Sequence, residues 1–262
     1  MQHDIQFTRT TPIIGKAPEK IRPLREKAAE LNDRFKTAGA RTVLQASLAK
    51  DNLGQVALVS SFGADSVVLL HMASKIDKSV PVIFLNTEML FHETLTYQAQ
   101  LTIELGLWNV RIIRPDEHAI AARDPNGDLH ATSTKACCEL RKTRPLDNAL
   151  QGFDGWVTGR KRFQSGTRAT LDFFEADEET GRIKVNPLAH WSLQDIKDYM
   201  DANDLPRHPL IAKGFPSIGC EPCTSKVAEG GDPRSGRWSG SDKTECGIHF
   251  NNGALSRKGL GA

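Results

Sequence analysis

Val56-Ala57-Leu58-Val59-Ser60-Ser61-Phe62-Gly63-Ala64-Asp65-Ser66 is the stretch of sequence that decides the fold. Residues 56–61 are short, apolar and β-branched, which is typical of a buried strand. A turn at residues 62–66 follows, and residues 67–76 predict a helix that is apolar nearly all round and therefore buried. This order of strand, loop and buried helix is the first half of a parallel βαβ unit.

The next elements repeat the pattern. Residues 81–85 and 109–113 predict two more strands, and residues 91–105 predict a helix between them that ends at Gly106. We therefore expect an α/β fold, with an open, mostly parallel sheet and helices on both faces. Further along, the sequence predicts the following elements: a helix at 18–37, an irregular polar segment at 115–134, a helix at 134–150, strands at 155–159 and 183–187, and a helix capped by Ser192 and Asp195.

Composition excludes several classes of protein. The 262 residues are 39% hydrophobic and 25% charged, which suits a globular chain rather than a disordered one. No apolar run approaches the ~18 residues of a membrane span. Residues 1–20 contain no apolar stretch, so we expect no secretory signal and a cytoplasmic location. The formal charge is only +2, which argues against a nucleic-acid-binding protein.

Charge is nevertheless concentrated in one region. Residues 135–168 hold eight Lys or Arg and three Asp or Glu. This stretch is either a solvated basic face or a site for a small, highly charged anion. The pair Arg234 and Arg237, together with Arg168 and Lys142, has the chemistry to clamp phosphate or sulfate oxygens, although any single one of them could be an ordinary surface residue.

The loop at residues 60–66 lies where open parallel sheets bind ligands, after a strand and before a helix N-terminus. It lacks the Gly-Lys-Ser/Thr of a Walker A loop and the G-x-G-x-x-G of a dinucleotide fingerprint. Taken alone it is an ordinary βα turn, and only its combination with the other motifs indicates a binding site.

Five cysteines without a signal peptide favour metal or redox chemistry over disulfides. Cys137-Cys138 and Cys220-x-x-Cys223 offer four thiolates, for a [4Fe–4S] cluster or a structural zinc site with four cysteine ligands. Spacing alone does not choose between iron and zinc. Cys246 stands apart in a polar, Gly-containing segment near His249, as a nucleophile, a further metal ligand or a surface thiol.

These pieces occur together in one family. Over about residues 60–260 the chain resembles the bacterial assimilatory adenylyl-sulfate (APS) reductases, the iron–sulfur branch of the adenylyl-sulfate/phosphoadenylyl-sulfate (PAPS) reductase family. The motifs that carry the resemblance are the loop 60–66, Cys137-Cys138 with Arg141-Lys142, Thr158-Gly159-Arg160, Ser165-Gly166-Thr167-Arg168, Gly219-Cys220-Glu221-Pro222-Cys223, Arg234-Ser235-Gly236-Arg237-Trp238 and Glu245-Cys246-Gly247-Ile248-His249.

The resemblance implies an adenine nucleotide alpha-hydrolase-like fold with a mobile C-terminal segment that carries the nucleophile, Cys246. It implies a [4Fe–4S] cluster on Cys137, Cys138, Cys220 and Cys223. It implies that the phosphosulfate is bound by the loop residues Ser60, Ser61, Phe62, Gly63, Asp65 and Ser66 and by Arg168, Arg234 and Arg237. Adenine would be bound at Leu85 and Gly159. Lys142 would lie between the cluster and the substrate, and His249 would be a further substrate-binding residue. One departure is visible, because the family commonly has an Asp-Thr-Gly-like turn where this chain has Asn86-Thr87-Glu88, and the role of that turn stays open.

The implied reaction is reduction of adenylyl sulfate to sulfite and AMP, through a Cys246 S-sulfonate that thioredoxin or glutaredoxin resolves. The alternatives are a PAPS reductase, a tRNA sulfurtransferase and a non-catalytic zinc module. Arg160, Lys161 and Arg162 are the residues that could hold a 3′-phosphate. We expect a helical segment at 1–50, a nucleotide- and cluster-binding domain at 51–225 and a catalytic tail at 226–262. We expect no nucleic-acid or membrane partner, and self-association into a homo-oligomer stays open.

Overall fold

A computed structural model describes the backbone of residues 18–238 and the side chains of residues 23–238. Within this part of the chain six strands form one sheet in the order β3-β2-β1-β4-β6-β5. The strands are β1 (Val56–Ser60), β2 (Val82–Leu85), β3 (Val110–Ile113), β4 (Gly155–Val157), β5 (Phe174–Asp177) and β6 (Arg182–Val185). All neighbours are parallel except β5, which runs antiparallel to β6. The predicted α/β fold with a mostly parallel sheet is confirmed.

Ten α-helices surround this sheet in the described residues. They are α1 (Pro18–Phe35), α2 (Ala40–Leu48), α3 (Lys50–Leu53), α4 (Ser66–Ser74), α5 (His92–Glu104), α6 (Glu117–Arg123), α7 (Leu129–Thr132), α8 (Thr134–Cys138), α9 (Arg144–Ala149) and α10 (Leu193–Ala202). A π-helical turn, Glu139–Thr143, joins α8 to α9. Short 3-10 turns are Arg162–Gln164, Gly166–Arg168 and Glu221–Cys223.

The core has two parts, one on each face of the sheet. The larger part packs α1, α2, α4, α5 and α10 against one face. The smaller part packs Leu146 and Leu150, at α9, against Ala57, Ile83 and Trp156 on the other. Helix α4 is buried from Val67 to Ser74, as its all-round apolar sequence predicts.

One expectation needs correction, and one element has no prediction. Residues 115–134 are not irregular, because they contain α6 and α7; Asp116 caps α6 by accepting the Ala119 N–H at 2.8 Å. Strand β5 was not predicted. Among the described residues no helix is long and apolar enough to cross a membrane.

Candidate functional site

A cavity of about 490 Å³ opens at the carboxyl ends of the parallel strands. It lies after β1, β2 and β4, where open α/β sheets bind their ligands. Eleven of the predicted substrate residues line it together: Ser60, Ser61, Gly63, Asp65, Ser66, Leu85, Lys142, Gly159, Arg168, Arg234 and Arg237. The structure thus brings together residues that are up to 177 positions apart in the sequence.

Phe62 differs from the other loop residues. Its side chain is fully buried and packs edge-on against Phe84, with ring centroids 5.2 Å apart, so it does not line the cavity. Its φ of 48° is left-handed, an uncommon conformation for a bulky residue. Phe62 therefore supports the loop from its buried side, through its packing on Phe84. His249 and Cys246 lie outside the described residues.

Two backbone N–H groups of this loop donate hydrogen bonds to serine hydroxyls of the same loop. The Phe62 N–H donates to Ser60 Oγ at 3.1 Å, and the Gly63 N–H donates to Ser66 Oγ at 3.0 Å. Helix α4 begins at Ser66, so its N-terminal partial positive charge faces the same space. The loop thus combines the features of an anion-binding turn: two serine hydroxyls, the amides they accept from and a helix N-terminus.

Lys161 is a site residue whose position the sequence did not reveal. Its side chain is 2% exposed, and Nζ donates to Asp65 Oδ2 at 3.1 Å. Burial lowers the pKa of Lys161, while Asp65 opposes that effect. The ion pair with Asp65 therefore holds the buried Lys161 side chain beside the loop at residues 60–66. No local sequence signal pairs residues 96 positions apart, so only the fold could show this contact.

The four paired cysteines meet beside the cavity. Cys137 and Cys138 end α8, Cys220 directly precedes a 3-10 turn, and Cys223 is the last residue of that turn. Burial and, to a smaller extent, the other three thiols together raise the pKa of the Cys137 thiol to about 12. Lys142 and Arg237, which line the cavity, act in the opposite direction on the pKa of Cys223. The thiol cluster and the cationic pocket are therefore neighbours.

These thiols fit an iron–sulfur cluster in donor type and in burial. A buried thiol with a high pKa stays protonated on its own, whereas a bound metal centre deprotonates it outright. Within the described residues, no group of three or more His, Cys, Asp or Glu side chains is placed to hold a metal ion. The fit therefore rests on the type and burial of the thiols, and four cysteine thiolates are the usual ligand set of an iron–sulfur cluster.

The turn Asn86-Thr87-Glu88 faces the thiols. Thr87 Oγ1 lies 3.2 Å from Cys220 Sγ, and the Thr87 carbonyl accepts a hydrogen bond from Arg141 at 3.0 Å. Arg141 also donates twice to Asp124 Oδ2, at 3.0 and 2.8 Å, and both of these side chains are buried. Glu88 lies 3.8 Å from the same guanidinium, which balances the negative charge the turn introduces. The structure thus gives this turn a place in the wall behind the cysteines.

A mostly parallel α/β sheet with a cation-lined cavity at the carboxyl ends of its strands places this chain in the class of α/β proteins that bind a ligand at that edge. The family model for the phosphoadenosine phosphosulfate reductase domain matches residues 55–226. The chain belongs to this family.

Relatives of this chain share much of its length. A protein named adenosine 5′-phosphosulfate reductase from Mesorhizobium japonicum is 54% identical over 196 residues, which cover 75% of this chain and 76% of the relative. Proteins of the same name from Chelativorans sp. and Mycobacterium tuberculosis are 47% identical over 225 residues and 45% identical over 195 residues. These matches cover 86% and 73% of this chain, and 91% and 75% of the two relatives.

Solved structures show the same fold. The phosphoadenylyl-sulfate (PAPS) reductase of Candida auris superimposes with a TM-score of 0.66 at 26% identity, covering 78% of this chain and 97% of that one. Yeast FAD synthetase superimposes with a TM-score of 0.50 at 15% identity, covering 79% and 76% of the two chains, a likeness of fold alone.

Proposed function

We propose that the protein is an oxidoreductase of sulfate assimilation that reduces adenosine 5′-phosphosulfate to sulfite and AMP in the cytoplasm. The observation that carries the proposal is the cationic cavity beside four cysteines, in a chain whose relatives bear the name adenosine 5′-phosphosulfate reductase. The substrate's adenine would lie near Leu85 and Gly159, with its phosphosulfate at the loop 60–66 and the cations Lys142, Arg168, Arg234 and Arg237. These cations would offset the repulsion between a thiolate and an anionic substrate.

Cys246 would be the nucleophile. It stands eight residues beyond Trp238, which is buried beside Arg237. Eight residues span at most about 28 Å, so its thiol can reach the cavity. The Cys246 thiolate attacks the sulfuryl sulfur, the S–O bond to AMP breaks, and AMP leaves with the electron pair. Cys246 then carries an S-sulfonate.

A dithiol protein such as thioredoxin or glutaredoxin would complete the cycle. Its first thiolate attacks the Cys246 sulfur, sulfite leaves with the bonding pair, and a mixed disulfide forms. Its second thiolate releases Cys246 and leaves the partner as a disulfide, so the partner supplies both electrons. A [4Fe–4S] cluster on Cys137, Cys138, Cys220 and Cys223 would supply electrostatic and positional support. His249 follows Cys246 closely enough to contact the same substrate.

Intact-mass spectrometry of the protein, mixed with adenosine 5′-phosphosulfate without a reductant, tests the proposal. We expect one SO3 group on the wild-type chain and none on Cys246→Ser, which should bind AMP as the wild type does but release no sulfite. Thr244→Ser, two residues away, is the matched control and should carry the adduct. Sulfite production at the wild-type rate by Cys246→Ser would refute the nucleophile assignment.

A further inference from the structure

Lys161 is a cation of the cavity to which the proposed function gives no role. Its side chain is 2% exposed, and Nζ donates to Asp65 Oδ2 at 3.1 Å. Lys161 also lines the cavity. Burial of a charged group is costly, and a single ion pair often does not offset that cost. A buried lysine in a cavity, beside one specific carboxylate, is therefore a candidate functional residue.

The cavity around Lys161 holds an excess of positive charge. Eight of the described residues that line it are Lys or Arg, and two, Asp65 and Asp232, are acidic. Burial lowers the pKa of Lys161, Asp65 opposes this effect, and the nearby charges of Arg168 and Arg234 lower the pKa again. Both arginines belong to the proposed phosphosulfate site. An anion bound beside them would therefore also attract the Lys161 ammonium.

Asp65 cannot itself bind an anion, because an ionised carboxylate has hydrogen-bond acceptors only. It stands at the N-cap position of α4, yet its side chain accepts no cap hydrogen bond from the described N–H groups of that helix. Its carboxylate accepts a hydrogen bond from Lys161 instead. Asp65 is therefore coupled to the anion site through the ammonium group that it holds.

The position of Lys161 selects one anionic group of the nucleotide. Its ammonium lies against the loop at residues 60–66, where the proposed function places the phosphosulfate. Lys161 also lies two residues beyond Gly159, the proposed adenine contact. The 5′-phosphate joins the nucleoside to the sulfate, so it is the anionic group nearer to adenine.

We propose that Lys161 is a further substrate-binding residue, which donates a hydrogen bond from Nζ to the 5′-phosphate of the nucleotide. An ammonium group has three N–H donors, so Lys161 can bind a phosphate oxygen while it stays paired with Asp65. This assignment rests on the proposed function and adds a binding residue to the same site.

Binding of AMP and of adenosine to the full chain, measured by isothermal titration calorimetry at neutral pH, tests the proposal without turnover. The two ligands differ only in the 5′-phosphate. Lys161→Met alone would leave the Asp65 carboxylate without its cation, and that charge would repel a phosphate even if Lys161 never touched it. The comparison is therefore made in Asp65→Asn, which lacks this charge.

We expect Asp65→Asn with Lys161→Met to bind AMP about tenfold more weakly than Asp65→Asn alone, because a hydrogen bond from a charged donor is lost. Both should bind adenosine equally well, which also shows that the variants are folded. Lys197→Met in the same Asp65→Asn chain is the matched control, because it removes an exposed lysine that lines the same cavity. It should leave the AMP affinity unchanged.

Three results would overturn the assignment of Lys161. They are an unchanged AMP affinity on adding Lys161→Met, an equal loss of adenosine affinity, and an equal loss of AMP affinity with Lys197→Met. The second would indicate a structural role, and the third a general effect of charge rather than a contact. A wild-type chain that binds neither AMP nor adenosine would overturn the proposed function as well, whereas the first three results leave it intact.

Discussion

Glycine at position 219 decides how close one cation of the cavity can come to the cysteines. A Cβ atom built on Gly219 would overlap the Arg237 guanidinium, because that group packs directly on the glycine backbone. Arg237 also lies over the Trp238 ring at 4.6 Å. The absence of a side chain at residue 219 therefore positions Arg237 between the thiols and the pocket.

Gly219→Ala should weaken the proposed anion binding without unfolding the protein. The added methyl group displaces only a flexible side chain, so the cost falls on the contacts of Arg237. Loss of one charge-assisted hydrogen bond is worth about 1.5 kcal/mol or more, so we expect KM to rise roughly tenfold. The control is Gly39→Ala, where a Cβ meets no atom within 4 Å. An unchanged KM at unchanged iron content would contradict this role.

His208 is a buried residue whose protonation opposes folding. Its Nδ1 accepts the Leu210 N–H at 3.1 Å, and Nε2 lies 3.2 Å from Thr94 Oγ1, which suits a neutral ring. Burial lowers the pKa of His208 to about 4, although Glu93 opposes the shift. Because the unfolded chain takes up the proton first, stability is present above pH 6.5 and falls as the pH drops toward 4.

His208→Gln should therefore flatten the acid dependence of stability. A shift from 6.5 to about 4 corresponds to roughly 3 kcal/mol of unfolding free energy across that range. Urea unfolding at a series of pH values between about 7.5 and 4 would measure it, with His118→Gln, at an exposed site, as the control. Parallel pH profiles for wild type and His208→Gln would refute the assignment.

At the scale of elements, the sequence predicted five of the six strands, including β3, in which no residue is fully buried. Strands β1 and β2 and helix α4 are apolar at nearly every position, so their own composition predicts them. Strand β5 was missed because it is an edge strand with Glu175 and Asp177 inside it, and tertiary contacts hold those charges: Glu175 pairs with Arg160, and Asp177 with Lys184 at 3.4 Å. The connection from β5 to β6 does carry a turn residue, Gly181 with a φ of 67°, but one glycine does not identify the strand before it.

The candidate site was predictable as far as its motifs are contiguous. The loop at 60–66 and the two cysteine pairs each sit in one short stretch, and the fold brings them to one edge of the sheet. The contacts that support them were not predictable, because Arg141 with Asp124 and Lys161 with Asp65 join separate elements. Such pairs depend on the packing of the whole chain and carry no spacing signature.

Helix α8 and the 3-10 turn at Glu221–Cys223 should be joined by an iron–sulfur cluster. Cys137 and Cys138 lie in α8, whereas Cys220 precedes the turn and Cys223 ends it, so loss of one ligand leaves three thiols without a complete set. Protein purified without air should be brown and carry about four irons per chain, and Cys220→Ser should lose the colour and most of the iron. Ser217→Ala, three residues earlier in the sequence, is the control. Iron analysis and visible absorption measure both, and stoichiometric zinc without iron would exclude the cluster.

At the scale of the whole molecule, charges are nearly balanced, so cationic sites depend on where carboxylates are placed. The three cations that could hold a 3′-phosphate are each engaged. Arg160 pairs with Glu175 and donates to Asn186 at 3.2 Å, Lys161 pairs with Asp65, and Arg162 contacts Asp172 at 3.4 Å. A 3′-phosphate brings about two further negative charges and would have to compete with these carboxylates.

The protein should therefore prefer adenosine 5′-phosphosulfate to its 3′-phosphorylated form, by at least about tenfold in kcat/KM, or roughly 1.4 kcal/mol. Glu175→Gln keeps a hydrogen-bonding side chain but removes the negative charge that pairs with Arg160, a residue that lines the cavity. This substitution should therefore reduce the preference for the nucleotide without a 3′-phosphate. Glu178→Gln, three residues further along the chain and paired with the exposed Arg25, should leave the preference unchanged. Steady-state kinetics with both nucleotides and one dithiol donor would measure the ratio. Equal or higher efficiency with the 3′-phosphorylated nucleotide in the wild type would reverse the assignment, because it would mean that Arg160 exchanges Glu175 for the ligand.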